Sequence, residues 1–113
     1  PDAIFAGNDA MAIGALLAIQ EAGLRCPDDI AVVGFDDVPI AELVRPGLTT
    51  LNIDIVGMGR RAVERLIAEI ERGDAAQPQA ANDAEREIIV PRLVVRQSCG
   101  ATNSTPGLSG ERP

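Results

Sequence analysis

Apolar residues fall along this chain in two kinds of run: short unbroken ones, and longer ones spaced three and four residues apart. Ala3-Ile4-Phe5-Ala6 is a short run cut off by Gly7-Asn8-Asp9. It predicts a buried strand and then a helix start, because Asn and Asp side chains accept bonds from the first free helix N–H groups. Helix formers fill residues 9 to about 23, and Gly23 supplies a left-handed stop. That helix is apolar around most of its girth. Ile13, Leu17 and Gln20 share one side, so two faces expect cover, one from a sheet and one from a second subunit. Ile30-Ala31-Val32-Val33-Gly34-Phe35 is a second strand, apolar on both faces as central parallel strands are. It stops at Asp36-Asp37. Val38 to Val44 has room for one or two helical turns, with Pro39 suited to the first. Arg45-Pro46-Gly47 reads as a turn, and Leu48 to Ile53 as a third strand rich in β-branched residues.

Asp54 then caps the most regular helix. Ile55, Met58, Ala62, Leu66 and Ile70 make its apolar stripe, and arginines and glutamates take the other face up to Gly73. Residues 74–86 read as an exposed loop. Glu87 to Val90 and Leu93 to Gln97 read as two strands hinged at Pro91, and the chain beyond Cys99 as a disordered tail. The order strand–helix–strand–strand–helix–strand predicts an α/β fold with a parallel sheet. In such sheets ligands bind beyond the carboxyl ends of strands. Asn8-Asp9 and Asp36-Asp37 both lie at such ends.

Composition removes several kinds of chemistry. With no His among 113 residues, a His general base, a Ser-His-Asp triad and a His-ligated metal are excluded. Two Cys cannot build a four-ligand zinc site, and fit either free thiols in a reducing cytoplasm or one bridge. A net charge of −7 with ten dispersed basic residues argues against a grip on a phosphate backbone. The longest apolar stretch, Met11 to Ile19, is far short of the ~18 residues of a membrane span, and no basic leader precedes it. The opening at Pro1-Asp2, running at once into a strand, reads as a cut through a larger protein.

Successive residues of an extended chain point opposite ways, so Asp36 and Asp37 do not form a dyad on one ligand. One of them suits a crevice, where a carboxylate accepts two hydroxyl hydrogen bonds from a polyhydroxylated ligand. The plainer alternative has both capping the short helix at Pro39. Asn8-Asp9 is either a helix cap or a cap shared with a ligand contact, Asp9 capping and Asn8 aimed at ligand. Gly57-Met58-Gly59-Arg60-Arg61-Ala62 fits the dinucleotide pattern G-x-G-x-x-A, but lies inside a helix rather than in a strand-to-helix turn. Its small residues are read as allowing close helix packing. Arg60, Arg61 and Arg65 read as a solvated face, and Cys26 as a bystander thiol.

Six blocks stand in order: Pro1 to Asp9; the helix through Met11, Ala12, Gly14 and Ala15 to Leu24; Pro27 to Asp37; Pro46-Gly47-Leu48-Thr49-Thr50; Met58 to Ala62; and Pro91 to Gly100. Together they resemble the C-terminal part of the lac repressor (LacI/GalR) family of transcription regulators. The resemblance implies a partial periplasmic-binding-protein-like effector domain of type I, a three-layer α/β/α arrangement in two lobes. Residues 1–52 and 92–98 would form the C-terminal lobe, 53–91 would cross into an N-terminal lobe, and 99–113 would be tail. The DNA-binding headpiece would lie outside this chain. Asn8, Phe35 and Asp36 match positions that contact a small-molecule effector such as a carbohydrate. Ile53 matches a position near the effector that is often Gln, so a polar contact is lost there. Ile13, Leu17, Gln20, Glu42, Leu43 and Val44 match the homodimer interface. The implied protein is cytoplasmic, binds operator DNA through its headpiece, and has no cofactor, metal, catalytic residue or membrane span. The alternatives are a piece of a periplasmic sugar-binding protein and, from another class, an enzyme using Asp36.

Overall fold

The computed structural model describes residues 1–72 and 87–101. They fall into two compact units, one built from Pro1–Asn52 and the chain from Leu93 onward, the other from Ile53–Arg92. The first unit contains β1 (Ala3–Phe5), α1 (Asp9–Glu21), β2 (Ala31–Phe35), α2 (Ile40–Leu43) and β3 (Thr49–Asn52). The second contains α3 (Ile55–Arg72). β4 (Arg92–Val94) leads back, and a single 3-10 turn follows at Gln97–Cys99.

The sheet order is β1-β2-β3-β4. β1 and β3 both run parallel to β2, with Gly34 opposite Thr50 and Phe35 opposite Leu51. Parallel neighbours need a crossover, and α1 supplies the one between β1 and β2. Its C-terminus stops as expected: Ala22 is the cap and Gly23 takes φ 70°, where a Cβ would be strained. The predicted α/β fold with a parallel sheet is thus borne out.

The core of the first unit is small. Ala6, Ala12, Leu16, Ile19, Val32, Ala41 and Leu48 are buried, with Ile4, Ile13, Ile30 and Val44 packed around them. Asp9, Thr49, Thr50 and Ser98 are buried too. Among the described residues no buried side-chain polar atom lacks a partner. Ser98 shows how this is met. Its Oγ donates to the Val32 carbonyl at 2.6 Å and accepts from the Thr49 N–H at 2.8 Å, bridging β2 and β3.

Three expectations change here. Glu87–Val90 is not a strand. A strand needs a neighbour to complete its hydrogen bonds, and Ile88 and Val90 stand 84% and 82% exposed. The strand expected over Leu93–Gln97 is shorter and shifted, because Gln97 and Ser98 are drawn into a turn. Gly47 N–H donates to Gln97 Oε1 at 2.6 Å, and Ser98 N–H to the Gly47 carbonyl at 3.0 Å. Cys99 therefore ends an ordered turn rather than beginning a tail. The loop expected over 74–86 and the tail from 102 onward lie outside the described residues.

In the second unit, Asp54 caps α3 as predicted: Gly57 N–H donates to its Oδ1 at 3.1 Å. A Cβ on Gly57 would collide with that carboxylate, while one on Gly59 would meet nothing. The first glycine therefore makes room for a cap rather than for another helix. No residue of α3 is buried. Arg61 and Arg65 both reach the Glu87 carboxylate, at 3.1 and 3.9 Å.

Candidate functional site

The carboxyl ends of β1 and β2 each release the chain into a pair of polar residues, and the two pairs are tied to each other through β3. Asn8 is extended (φ −157°, ψ 170°) and is the cap of α1, its Oδ1 accepting from the Met11 N–H at 2.8 Å. Asp9 is already helical and cannot cap, which corrects the expected division of labour. Its carboxylate turns inward, accepting from Thr50 Oγ1 at 2.5 Å and from the Val38 N–H at 2.9 Å. Gly34 makes this possible, since a Cβ there would overlap the Asp9 carboxylate and crowd Leu48 and Ala12.

The Asp36-Asp37 pair is split between two roles. Both residues have positive φ, 110° and 55°. Such backbone costs about 1–3 kcal/mol per residue and persists only where the surroundings impose it. Here the Asp36 N–H extends the ladder to the Leu51 carbonyl at 2.9 Å, and Val38 is held by Asp9. The Asp37 carboxylate pairs with Arg96 Nη2 at 2.9 Å and accepts from Asn52 Nδ2 at 3.0 Å. Arg96 is fixed in turn, its Nη1 donating to the Leu48 carbonyl at 2.9 Å and its N–H to Thr49 Oγ1 at 2.8 Å. Neither aspartate caps α2, whose cap is Pro39 with no side-chain bond. The half-buried Asp36 carboxylate has no hydrogen-bond partner among the described residues.

Phe35 ends β2 beside Asp36 and is half-buried. Asn8, Phe35 and Asp36 thus belong to one unit, whereas Ile53 is the first residue of the other. Sequence reasoning missed Thr50, Asn52 and Arg96, which hold the loop in shape. They are 13 to 59 positions from the aspartates they bind, with no local pattern to mark them.

Elsewhere on the first unit, Ile13, Leu17, Gln20 and Val44 line one hollow of about 150 Å³ with Leu16 and Arg45. Leu17 and Leu43 are 56% and 72% exposed. Glu42 and Leu43 border a larger trough of about 760 Å³ between α2 and residues 95–97, which includes none of Asn8, Phe35, Asp36 or Ile53. No group of three or more acidic or Cys side chains among the described residues could hold a metal ion. No helix there is long and apolar enough to cross a membrane.

The periplasmic binding protein-like domain family matches residues 1–99. This chain belongs to that family. Within it, the homologues are LacI-family repressors, which bears out the resemblance read from the six blocks. The HTH-type transcriptional repressor PurR of Haemophilus influenzae is 38% identical over 98 residues, covering 87% of this chain. The chain spans only 28% of that repressor's length. A LacI family regulator from Arthrobacter sp. FB24, solved in complex with lactose, superposes with a TM-score of 0.70 at 40% identity over 87% of this chain and 34% of that one. The lac repressor dimer bound to operator and the anti-inducer ONPF gives 0.73 at 36% identity, over 89% of this chain and 32% of that one. These periplasmic-binding-protein-like relatives are transcriptional regulators.

Proposed function

We propose that this chain is the effector-sensing and self-association part of a LacI-family transcriptional regulator whose effector is a carbohydrate. The observation that carries the reading is the division of the Asp36-Asp37 pair. Asp37 is consumed by Arg96 and Asn52, and the Asp36 carboxylate, at the carboxyl end of a parallel strand, has no hydrogen-bond partner among the described residues. A carboxylate accepts two hydroxyl groups at once, which suits a sugar. Asn8 adds an amide nitrogen, since only its oxygen is used in capping. Phe35, at the end of the same strand, supplies an apolar edge. The lactose in the Arthrobacter complex supports the choice of ligand class.

Residues 1–52 with 92–98 are then the C-terminal effector lobe, and 53–91 begin the N-terminal one. The division of the chain after Asn52 and after Arg92 supports this assignment. Ile13, Leu17, Gln20, Glu42, Leu43 and Val44 form the homodimer surface, operator DNA is held by a separate headpiece, and the regulator works in the cytoplasm without catalysing a reaction. The test is an operator gel shift with a regulator carrying this sequence, titrated with a panel of mono- and disaccharides headed by lactose. A sugar that changes operator affinity is expected. Indifference to the whole panel, with operator binding intact, would overturn the carbohydrate reading.

A further inference from the structure

Cys26 and Cys99 play no part in the site above, and both are half-buried free thiols in the first unit. The loop after α1 packs against the 97–99 turn and brings them together. Cys26 Sγ donates to the Ser98 carbonyl oxygen at 3.3 Å, one peptide bond from Cys99. A carbonyl oxygen lies roughly 3 Å from the next Cα, so Cys26 Sγ stands within about 6 Å of the Cys99 Cα. One residue on, a Cβ added to Gly100 would sit 3.5 Å from Pro27 Cβ, so the two backbones run side by side. Cys99 Sγ donates to the Arg96 carbonyl at 3.6 Å. The S–H bonds of both thiols are weak, and a χ1 rotation releases them at little cost. Burial pushes the Cys26 thiol above the ordinary cysteine value, and the nearby Cys99 adds to the rise, as two thiols within electrostatic range should.

We propose that Cys26 and Cys99 are a redox-sensitive pair that closes to an intrachain disulfide in the presence of oxidised glutathione. One thiolate attacks the glutathione disulfide, forming a mixed disulfide and releasing one glutathione. The other attacks the protein sulfur of that mixed disulfide and releases the second glutathione. The two protein thiols are oxidised, the glutathione disulfide is reduced, and the two thiol protons end on the two glutathiones. The bond pins the 97–99 turn, with its Ser98 bridge between β2 and β3, to the loop that follows α1.

The test incubates the dilute reduced chain with graded ratios of oxidised to reduced glutathione, with and without concentrated urea, followed by iodoacetamide trapping, intact mass and peptide mapping. In the folded chain a species two hydrogens lighter is expected, with the Cys26 and Cys99 peptides joined and dithiothreitol restoring the thiols. Cys26→Ser and Cys99→Ser should stop at a single glutathione adduct. The folded chain should close at a glutathione ratio about tenfold or more below that needed in urea, because the fold raises the effective concentration of the pair. Glutathione adducts without the cross-link, disulfide-linked dimers in its place, or equal closure in urea would each overturn the proposal.

Discussion

Asp9 and Asp36 are both carboxylates placed where a parallel strand ends, and their surroundings give them opposite tasks. Asp9 is buried and holds two donors, so it is structural. Asp9→Ala should cost about 1–3 kcal/mol for each donor left unsatisfied, the Val38 N–H and the Thr50 hydroxyl. A urea melt checks this, and a loss below roughly 1 kcal/mol would show that neither bond matters. Which of Asn8 and Asp9 caps α1 was not legible in the sequence, since both side chains can cap. Backbone angles decide it, together with Gly34, 25 or more positions away, whose missing Cβ admits the carboxylate. At the exposed Asp29, the side-chain hydrogen bond from Arg25 holds the carboxyl below the ordinary aspartate value. A group depressed in this way stabilises the fold above its unfolded pKa, and that contribution fades as the pH falls through the folded value. A carbon-detected NMR titration should find the lowered midpoint. Arg25→Ala should return it part of the way, because the backbone N–H of residue 25 still donates. An unmoved midpoint in that variant would remove the side-chain bond as the cause.

Among elements, the two long helices and the elements from β1 to β3 were legible, and the closing ones were not. α1 and α3 announced themselves through spacing, caps and, for α1, a glycine stop. β4 and the 97–99 turn did not, because their form depends on Gly47, Thr49 and Val32 rather than on neighbours in sequence. A serine inside an apolar-looking terminal segment gives no local sign that it bridges two strands. Ser98→Ala orphans the Thr49 N–H and one bond of the Val32 carbonyl, and should lower stability by about 1–3 kcal/mol. Ser98→Thr, which keeps the hydroxyl, should recover part of that loss. Equal unfolding midpoints for wild type and Ser98→Ala would refute the bridging role.

At the scale of the molecule, the excess apolar girth read in α1 is exposed surface. Leu17 and Leu43 remain open, as do Ile55, Val63, Leu66 and Ile70 on α3. Exposed apolar side chains on each unit favour association. Sedimentation velocity should therefore show species larger than a monomer whose share grows with concentration. Leu17→Glu should shift the balance toward monomer, and a monomer throughout the concentration range would contradict the proposed self-association. The fold class and family were legible because six blocks hold their order. The internal fastening of Asp37 was not, because Arg96 and Asp37 meet only through the sheet.

The proposed effector contact rests most directly on Asp36. Calorimetric titration of a regulator carrying this sequence, with the carbohydrate that shifts its operator affinity, compares wild type with Asp36→Ala. Loss of a two-hydroxyl, charge-assisted contact should weaken binding roughly tenfold or more while the melting temperature stays close to that of wild type. Unchanged affinity in that variant would contradict the account.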